Sequence, residues 1–225
     1  MKLRALVIAP HHDDESIGCG GLIAKLAEAG WDMAICVVFA PIEGINTPEH
    51  QKRLCEANSA ASLLGAKRIG DLNFPCREFI SIETITWQIV EVLRQTQPQL
   101  VLIPHETERD PEHISSYRAC LEALWLSASG FRSELGPPLK GIDIVLGYEV
   151  WTPITHPQLT IDISGVIETK LRAIRSYASQ LELTDYARAA RGLAAYRGVM
   201  YGGCSFAESY SIIEAYENAF YLTSF

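Results

Sequence analysis

Residues 3–21 read LRALVIAPHHDDESIGCGG and carry the clearest fold signal in the chain. Residues 3–9 form a short, mostly apolar run of the kind found in buried strands, and a glycine-containing stretch from Ile17 onward is typical of a helix packed on a sheet. Between them stand five ionisable side chains without a spacer, at positions 11–15. This order predicts a strand whose carboxyl end delivers a polar cluster to the start of a helix.

The rest of the chain repeats this alternation of apolar, β-branched runs and amphipathic stretches. Strands are predicted at Leu3–Ala9, Met33–Phe39, Arg68–Leu72, Leu100–Pro104, Ile142–Val150 and Leu159–Ile163. Helices are predicted at Ile17–Ala29, Pro48–Leu64, Ser81–Gln95, Ile114–Ser127, Val166–Ser179, Tyr186–Tyr196 and Glu208–Phe220. The pattern indicates an α/β, Rossmann-like fold with a mostly parallel sheet and helices on both faces. We expect one domain over residues 1–225, with Phe131–Lys140 as a surface loop.

Composition excludes several classes of protein. The formal net charge is −8, and no run of lysine or arginine offers a footprint for nucleic acid or an anionic membrane. No segment approaches the roughly 20 apolar residues of an integral membrane segment. The six cysteines are scattered singly without a Cys-x-x-Cys pair, which favours reduced buried thiols over a disulfide framework or a thiolate zinc site. A cytoplasmic location is the default expectation.

The polar cluster at positions 11–15 predicts a metal site. One acidic cap, from Asp13, Asp14 or Ser16, would satisfy the helix start, so the two histidines and three carboxylates are in surplus. Imidazole and carboxylate suit zinc, and a catalytic zinc site takes three protein ligands. Because ligands of open α/β sheets bind at the carboxyl ends of strands, the third ligand is expected from the loop at 105–113, with His113 as the obvious choice.

A dinucleotide site is a weaker interpretation of the same stretch. The series Gly18-x-Gly20-Gly21 resembles part of a phosphate-binding fingerprint, but a pyrophosphate needs bare backbone N–H groups there. The carboxylates of the cluster would repel it. We therefore interpret the glycines as permitting close packing of helix on sheet or backbone approach to a substrate.

The motifs resemble those of the PIG-L (LmbE-like) zinc-dependent N-deacetylases. The resemblance begins with residues 10–15 and 18–21 and covers most of the chain. Further elements that resemble the family are Arg53-x-x-Glu56, Asp110-Pro111-Glu112-His113, Glu149-x-Trp151-x-Pro153, Ile161–Ser164, Lys170, Ala173, Tyr177, Ser179-Gln180 and Phe206-Ala207-Glu208.

The resemblance implies a role for each site residue. His11, Asp14 and His113 would bind Zn²⁺ or another divalent metal, and Asp13 would be the general base. Arg53 would bind substrate, although an ion pair with Glu56 on the helix surface is the alternative. The implied enzyme is a hydrolase that removes an N-acetyl group from a glucosamine-type sugar or conjugate and releases acetate. Its partner would be that small molecule, and a homo-oligomer is compatible with the sequence.

Two positions depart from the family pattern. His12 stands where a proline is usual, and we interpret it as a loop histidine rather than a fourth ligand. Asp110 stands where a histidine usually stabilises the oxyanion. A carboxylate cannot do this unless it is protonated, so either the metal and another donor such as His105 or Arg109 take the role, or Asp110 orients a neighbouring histidine. Glu15 is expected to support the cluster as a hydrogen-bond acceptor.

The sequence also allows two alternative functions. A non-catalytic zinc- or sugar-binding module would account for Asp110, but it would have no use for Asp13. A nucleotide-binding protein would be stabilised by a dinucleotide rather than by zinc.

Overall fold

The computed structural model describes residues 2–41, 45–182 and 184–216. Its strands are β1 (Arg4–Ala9), β2 (Asp32–Phe39), β3 (Lys67–Phe74), β4 (Leu100–Pro104), β5 (Ile144–Tyr148), β6 (Leu159–Asp162) and β7 (Ala207–Ala215). Its helices are α1 (Asp14–Glu28), α2 (Pro48–Leu63), α3 (Ile82–Thr96), α4 (Pro111–Ser127), α5 (Ile167–Ser176), α6 (Ala178–Leu181) and α7 (Tyr186–Arg197).

The described strands form a seven-stranded sheet in the order β3-β2-β1-β4-β5-β7-β6. Strands β1 to β5 pair in parallel, whereas β7 runs antiparallel to both β5 and β6. The mostly parallel α/β fold is therefore confirmed, with an antiparallel edge. Strand β1 lies between β2 and β4, so the chain leaves β1 at the switch point where connections turn to opposite sides and ligands bind.

Apolar side chains of the sheet point alternately to two hydrophobic cores. Val7 of β1 belongs to a core formed with α1, α2, α5 and α7, and Leu6 and Ile8 belong to a second core formed with α3 and α4. Helices thus cover both faces, as predicted. Gly18 permits this packing, because a Cβ at that position would collide with the Tyr148 ring of β5.

The predicted C-terminal helix at Glu208–Phe220 is wrong. Residues 207–215 form strand β7, and residues 217–220 lie outside the described part of the chain. Three residues of the segment AESYSIIEA, Tyr210, Ile212 and Ile213, are of types that favour strands, so pairing with β5 and β6 decides its structure. Both carboxylate oxygens of Glu208 accept backbone hydrogen bonds from α1, from Gly21 N and Leu22 N at 2.8 Å each. These bonds satisfy N–H groups beside the break in α1 at Cys19.

Three smaller findings complete the fold. The predicted helix at Val166–Ser179 is divided at Tyr177 into α5 and α6. All six cysteines are free, but only Cys19, Cys36 and Cys120 are buried, so the expectation of buried thiols holds for half of them. Within the residues that the structure describes, no helix has both the length and the apolar character needed to cross a membrane.

Candidate active site

Three side chains from two strand ends converge at the carboxyl edge of the sheet. His11 follows β1, Asp14 begins α1, and His113 lies in the first turn of α4, which follows β4. Their ligand atoms lie within 4.8 Å of one another. Oδ2 of Asp14 is 3.4 Å from Nδ1 of His11 and 3.2 Å from Nε2 of His113. The structure thus brings the three predicted metal ligands together.

The donor set fits a divalent transition metal. Asp14 and His113 are fully buried, yet Asp14 Oδ1 and both ring nitrogens of His113 have no hydrogen-bond partner among the described residues. Buried polar atoms are rarely left unpaired, and an ion is one way to satisfy such a group. Burial raises the pKa of Asp14, but the two histidines outweigh this effect and hold it well below its ordinary value, so the side chain is anionic at neutral pH.

Asp13 lies beside this group in an unusual backbone conformation. Its φ of 105° is in the left-handed region, which non-glycine residues adopt mainly at functional sites or turns. Burial raises the pKa of Asp13 well above its ordinary value, and the charges of Asp14 and Glu15 raise it further, against the opposing effect of His11 and Arg53. The side chain is therefore a carboxyl group that holds a proton more readily than an exposed aspartate does.

Glu15 stabilises the polar cluster through hydrogen bonds of its carboxylate. Its Oε2 accepts a hydrogen bond from the backbone N of Asp13 at 3.3 Å, and its Oε1 accepts from the hydroxyl groups of Ser16 and Tyr177 at 2.7 Å each. With these partners Glu15 holds the left-handed backbone at Asp13. The structure therefore places Glu15 as a hydrogen-bond acceptor, as expected.

A glutamate lies behind each ligand histidine, and the sequence analysis missed both of them. Oε2 of Glu112 accepts a hydrogen bond from Nε2 of His11 at 2.7 Å. Oε2 of Glu108 lies 3.7 Å from Nδ1 of His113, while its Oε1 accepts from the backbone N atoms of 150–152 at 2.8, 2.9 and 3.2 Å. Carboxylates in this position orient ligand histidines. Their occurrence in the same loop as His113 was the available signal.

Arg53 extends from α2 into the cleft in front of the metal group. The cleft has a volume of about 290 Å³ and is lined by His11, His12, Asp13, Asp14, Phe39, Ala40, Pro41, Arg53, Cys76, Arg77, Asp110, Trp151, Gln180 and Tyr186. The alternative role of Arg53, an ion pair with Glu56, is not formed in the structure. Both oxygens of Glu56 instead accept hydrogen bonds from Ser179, at 3.0 Å from its N and 2.6 Å from its Oγ.

The donor oriented by Asp110 is an arginine from another loop. The two carboxylate oxygens of Asp110 accept from Nη1 and Nη2 of Arg77 at 3.1 and 3.0 Å, and Asp110 also caps α4 through Glu112 N at 2.9 Å. Arg77 follows β3 and lines the cleft, half exposed. Asp110 therefore orients a cation, Arg77. It does not orient a histidine, and its partner does not come from its own loop.

The other histidines and Arg109 do not join the metal group. His105 is buried and donates from Nε2 to the carbonyl of Thr152 at 2.6 Å, outside the cleft lining. Arg109 is exposed and is also absent from the lining. His12 is buried and forms a hydrogen bond with Oδ2 of Asp71 at 2.9 Å, which accounts for it as a loop histidine.

Residues 6–124 match the protein family described as PIG-L: GlcNAc-PI de-N-acetylase. The chain is also 34% identical over 191 residues to the diacetylchitobiose deacetylase of Thermococcus kodakarensis, covering 79% of this chain and 70% of that protein. The chain belongs to the PIG-L family, and the resemblance read from the motifs is confirmed.

Two further similarities define the range of the family. The N,N′-diacetylchitobiose deacetylase of Pyrococcus horikoshii, solved with an inhibitor, superimposes with a TM-score of 0.80 at 27% identity, over 93% of this chain and 83% of that chain. The 4-oxalmesaconate hydratase of Pseudomonas putida is 30% identical over 81% of this chain and 76% of that protein. Relatives of this chain therefore include both deacetylases and a hydratase.

Proposed function

We propose that this chain is a metal-dependent hydrolase that removes the N-acetyl group of a glucosamine-type sugar or sugar conjugate and releases acetate. The observation that carries the proposal is the buried group of His11, Asp14 and His113 in one cleft with Asp13. The names of the sugar deacetylases among its relatives support the substrate class.

The metal of the proposal is zinc, held by two imidazoles and one carboxylate. Three protein ligands are the usual number in a catalytic zinc site, which keeps one position for water or substrate. When bound there, zinc would polarise the amide carbonyl and make water a stronger nucleophile at neutral pH. Other divalent transition metals can use the same ligands, so the native ion is a matter for elemental analysis.

Asp13 is the proposed general base. It neighbours Asp14, is buried in the cleft wall, and has a raised pKa, which brings its proton affinity closer to that useful at neutral pH. As water attacks the acetyl carbonyl, Asp13 accepts the proton from water. It then returns that proton to the nitrogen of the leaving amine, so that acetate and a free amine result.

The outer part of the cleft is proposed to hold the sugar. Trp151 and Tyr186 form an aromatic wall, with ring centroids 5.3 Å apart, and both line the cleft. Aromatic faces suit the apolar face of a sugar ring, and Arg53, Arg77 and Gln180 offer donors for its hydroxyl and acetyl oxygens. A sugar bound here would contact the aromatic rings with one face and form hydrogen bonds with its oxygen atoms.

We also propose that residues 1–225 form one domain and that the enzyme acts in the cytoplasm. The six free thiols support this location, because a reducing compartment preserves them. Thiol titration of protein purified without reductant measures the state of these cysteines, and a count near six is the expected result.

The test is a substrate assay on zinc-loaded protein. N-acetylglucosamine and N,N′-diacetylchitobiose are incubated with wild type and Asp13→Asn, and acetate and free amine are both measured. We expect equal amounts of the two products from wild type and far less from the variant. Binding of sugar without acetate would indicate a binding module. Consumption of 4-oxalmesaconate, followed by loss of its ultraviolet absorbance, would instead indicate hydratase activity.

A further inference from the structure

A second group of metal-ligand atoms lies on the far side of His11. A ring nitrogen of His11, Sγ of Cys76 and a carboxylate oxygen of Glu112 lie within 4.8 Å of one another. Oε2 of Glu112 accepts from His11 Nε2 at 2.7 Å and from the Cys76 thiol at 3.3 Å. Both His11 and Cys76 line the cleft, so an ion can reach the group from solvent. The three residues come from the ends of β1 and β3 and from the first turn of α4.

The chemistry of this donor set selects a thiophilic ion. Imidazole nitrogen, thiolate sulfur and carboxylate oxygen are the three ligand types that zinc uses in proteins. Magnesium and calcium take oxygen ligands and would not recruit Cys76. We infer that His11 Nε2, Cys76 and Glu112 form a second zinc site, which fills after the first and inhibits the enzyme.

Inhibition follows from the sharing of His11. Its Nδ1 faces Asp14 in the first group, whereas its Nε2 faces Glu112 in the second. A neutral imidazole has one lone pair for a metal, so a second ion must take the Nε2 proton and make the ring a bridge between two ions. The Cys76 thiol loses its proton at the same step, and both protons go to solvent. Two effects would inhibit the enzyme. The bridging ring would bind the first ion differently from a neutral imidazole, and the second ion would occupy space in the cleft.

A nearby cation makes the second site the weaker one. Nη1 of Arg77 is 3.3 Å from Oε2 of Glu112 and would repel an ion there. The Arg77 side chain is 49% exposed and is held independently by both oxygens of Asp110, so it can release Glu112 and stay paired. Among the residues that the structure describes, no arginine or lysine forms an ion pair with His11, Asp14 or His113 of the first group. Zinc is therefore expected to fill the two sites in sequence.

Cobalt titration of the full-length apoprotein tests the inference without relying on catalysis. A cobalt–thiolate charge-transfer band in the near ultraviolet is expected with the second equivalent of Co²⁺ and not with the first. Cys76→Ser should lose this band and bind one equivalent, whereas Cys55→Ser, which changes an exposed thiol on α2, should behave as wild type. A band that appears with the first equivalent, or no band at all, would overturn the second site.

An activity measurement tests the inhibitory role, and this part rests on the proposed function. The rate at excess zinc is divided by the rate of the same protein at one equivalent. Wild type and Cys55→Ser should lose most of their activity at excess zinc, and Cys76→Ser should need at least about tenfold more zinc for the same loss. Equal zinc sensitivity in Cys76→Ser would refute inhibition through this site. If no variant has activity, the proposed function fails while the cobalt result still stands.

Discussion

Oε2 of Glu108 faces Nδ1 of His113 at 3.7 Å, and the other oxygen of the same carboxylate is fixed by three backbone N–H groups of residues 150–152. The loop that follows β5 thus fixes the carboxylate that faces His113, a predicted metal ligand on α4. Nε2 of the same ring lies 3.2 Å from Oδ2 of Asp14. A metal bound to Nε2 would require the ring proton to stand on Nδ1, toward Glu108.

Glu108→Gln is therefore expected to weaken metal binding without unfolding the chain. The amide oxygen can still accept from the backbone, but the amide NH₂ would face His113 Nδ1 and favour the tautomer that protonates Nε2. Metal affinity should fall roughly 10- to 100-fold. Competition with a zinc chelator measures it. Glu106→Gln, at an exposed position of the same loop, is the control and should bind as wild type.

Asp13→Asn separates proton transfer from metal binding. Asparagine keeps the size of the side chain and tolerates positive φ better than most residues, so the strained backbone should persist. Turnover should fall by roughly 10² to 10⁴ with the metal retained, the usual contribution of a general base. Acetate release and zinc content are measured on the same preparation. Loss of zinc in a folded Asp13→Asn variant would exchange the roles of Asp13 and Asp14.

The raised pKa of Asp13 also predicts a pH-dependent stability in the metal-free protein. Because the folded state holds this proton more tightly than the unfolded chain does, native Asp13 makes folding less favourable as pH rises through the window above its ordinary pKa. Asp13→Asn removes this effect. Its Tm should therefore exceed that of wild type near neutral pH.

The sign of this effect is checked by lowering the pH. The Tm difference between metal-free Asp13→Asn and wild type should shrink as the pH approaches the ordinary pKa of aspartate, about 3.9. Thermal unfolding followed by circular dichroism at several pH values, with a chelator present throughout, gives the comparison. A variant that is less stable than wild type at neutral pH would show that burial of the Asp13 carboxylate does not destabilise the folded protein.

Arg77 is expected to contribute to substrate binding, and Asp110 to hold it in place. Arg77→Gln should lower kcat/KM for the N-acetylated sugar roughly 10- to 100-fold, the range for loss of a charged hydrogen bond. Arg109→Gln removes an exposed arginine nearby and should change little. Asp110→Asn should show a smaller loss than Arg77→Gln. Equal kinetics in Arg77→Gln and wild type would leave Arg53 and the metal as the charged contacts of the substrate.

Much of the fold could be predicted because its signals are local. The apolar run of β1, the polar cluster and the helix start follow one another in residues 3–21, and the fold class and family are confirmed. The rule that parallel strands end at one edge was enough to pair His11 with His113. The helix predicted at Glu208–Phe220 was wrong because pairing with β5 and β6 and the bonds of Glu208 to α1 are tertiary effects.

The partners of the polar side chains could not be read from spacing. Asp110 binds Arg77 from the loop after β3, and His105 binds the carbonyl of Thr152 after β5. Each pair joins loops that are distant in sequence. The prediction considered only donors close to Asp110 in the chain, and so it did not find Arg77. Glu108 and Glu112 were overlooked for a related reason, because carboxylates in an acidic loop look alike until their directions are known.

The most direct test of the account is the metal content of the folded protein. Elemental analysis is carried out after reconstitution with one equivalent of zinc and gel filtration, on wild type, His11→Ala, Asp14→Ala and His113→Ala, with circular dichroism to establish folding. The account predicts about one zinc per chain in wild type and loss of most zinc in each folded variant. Full zinc occupancy in folded His113→Ala, or none in wild type, would contradict it.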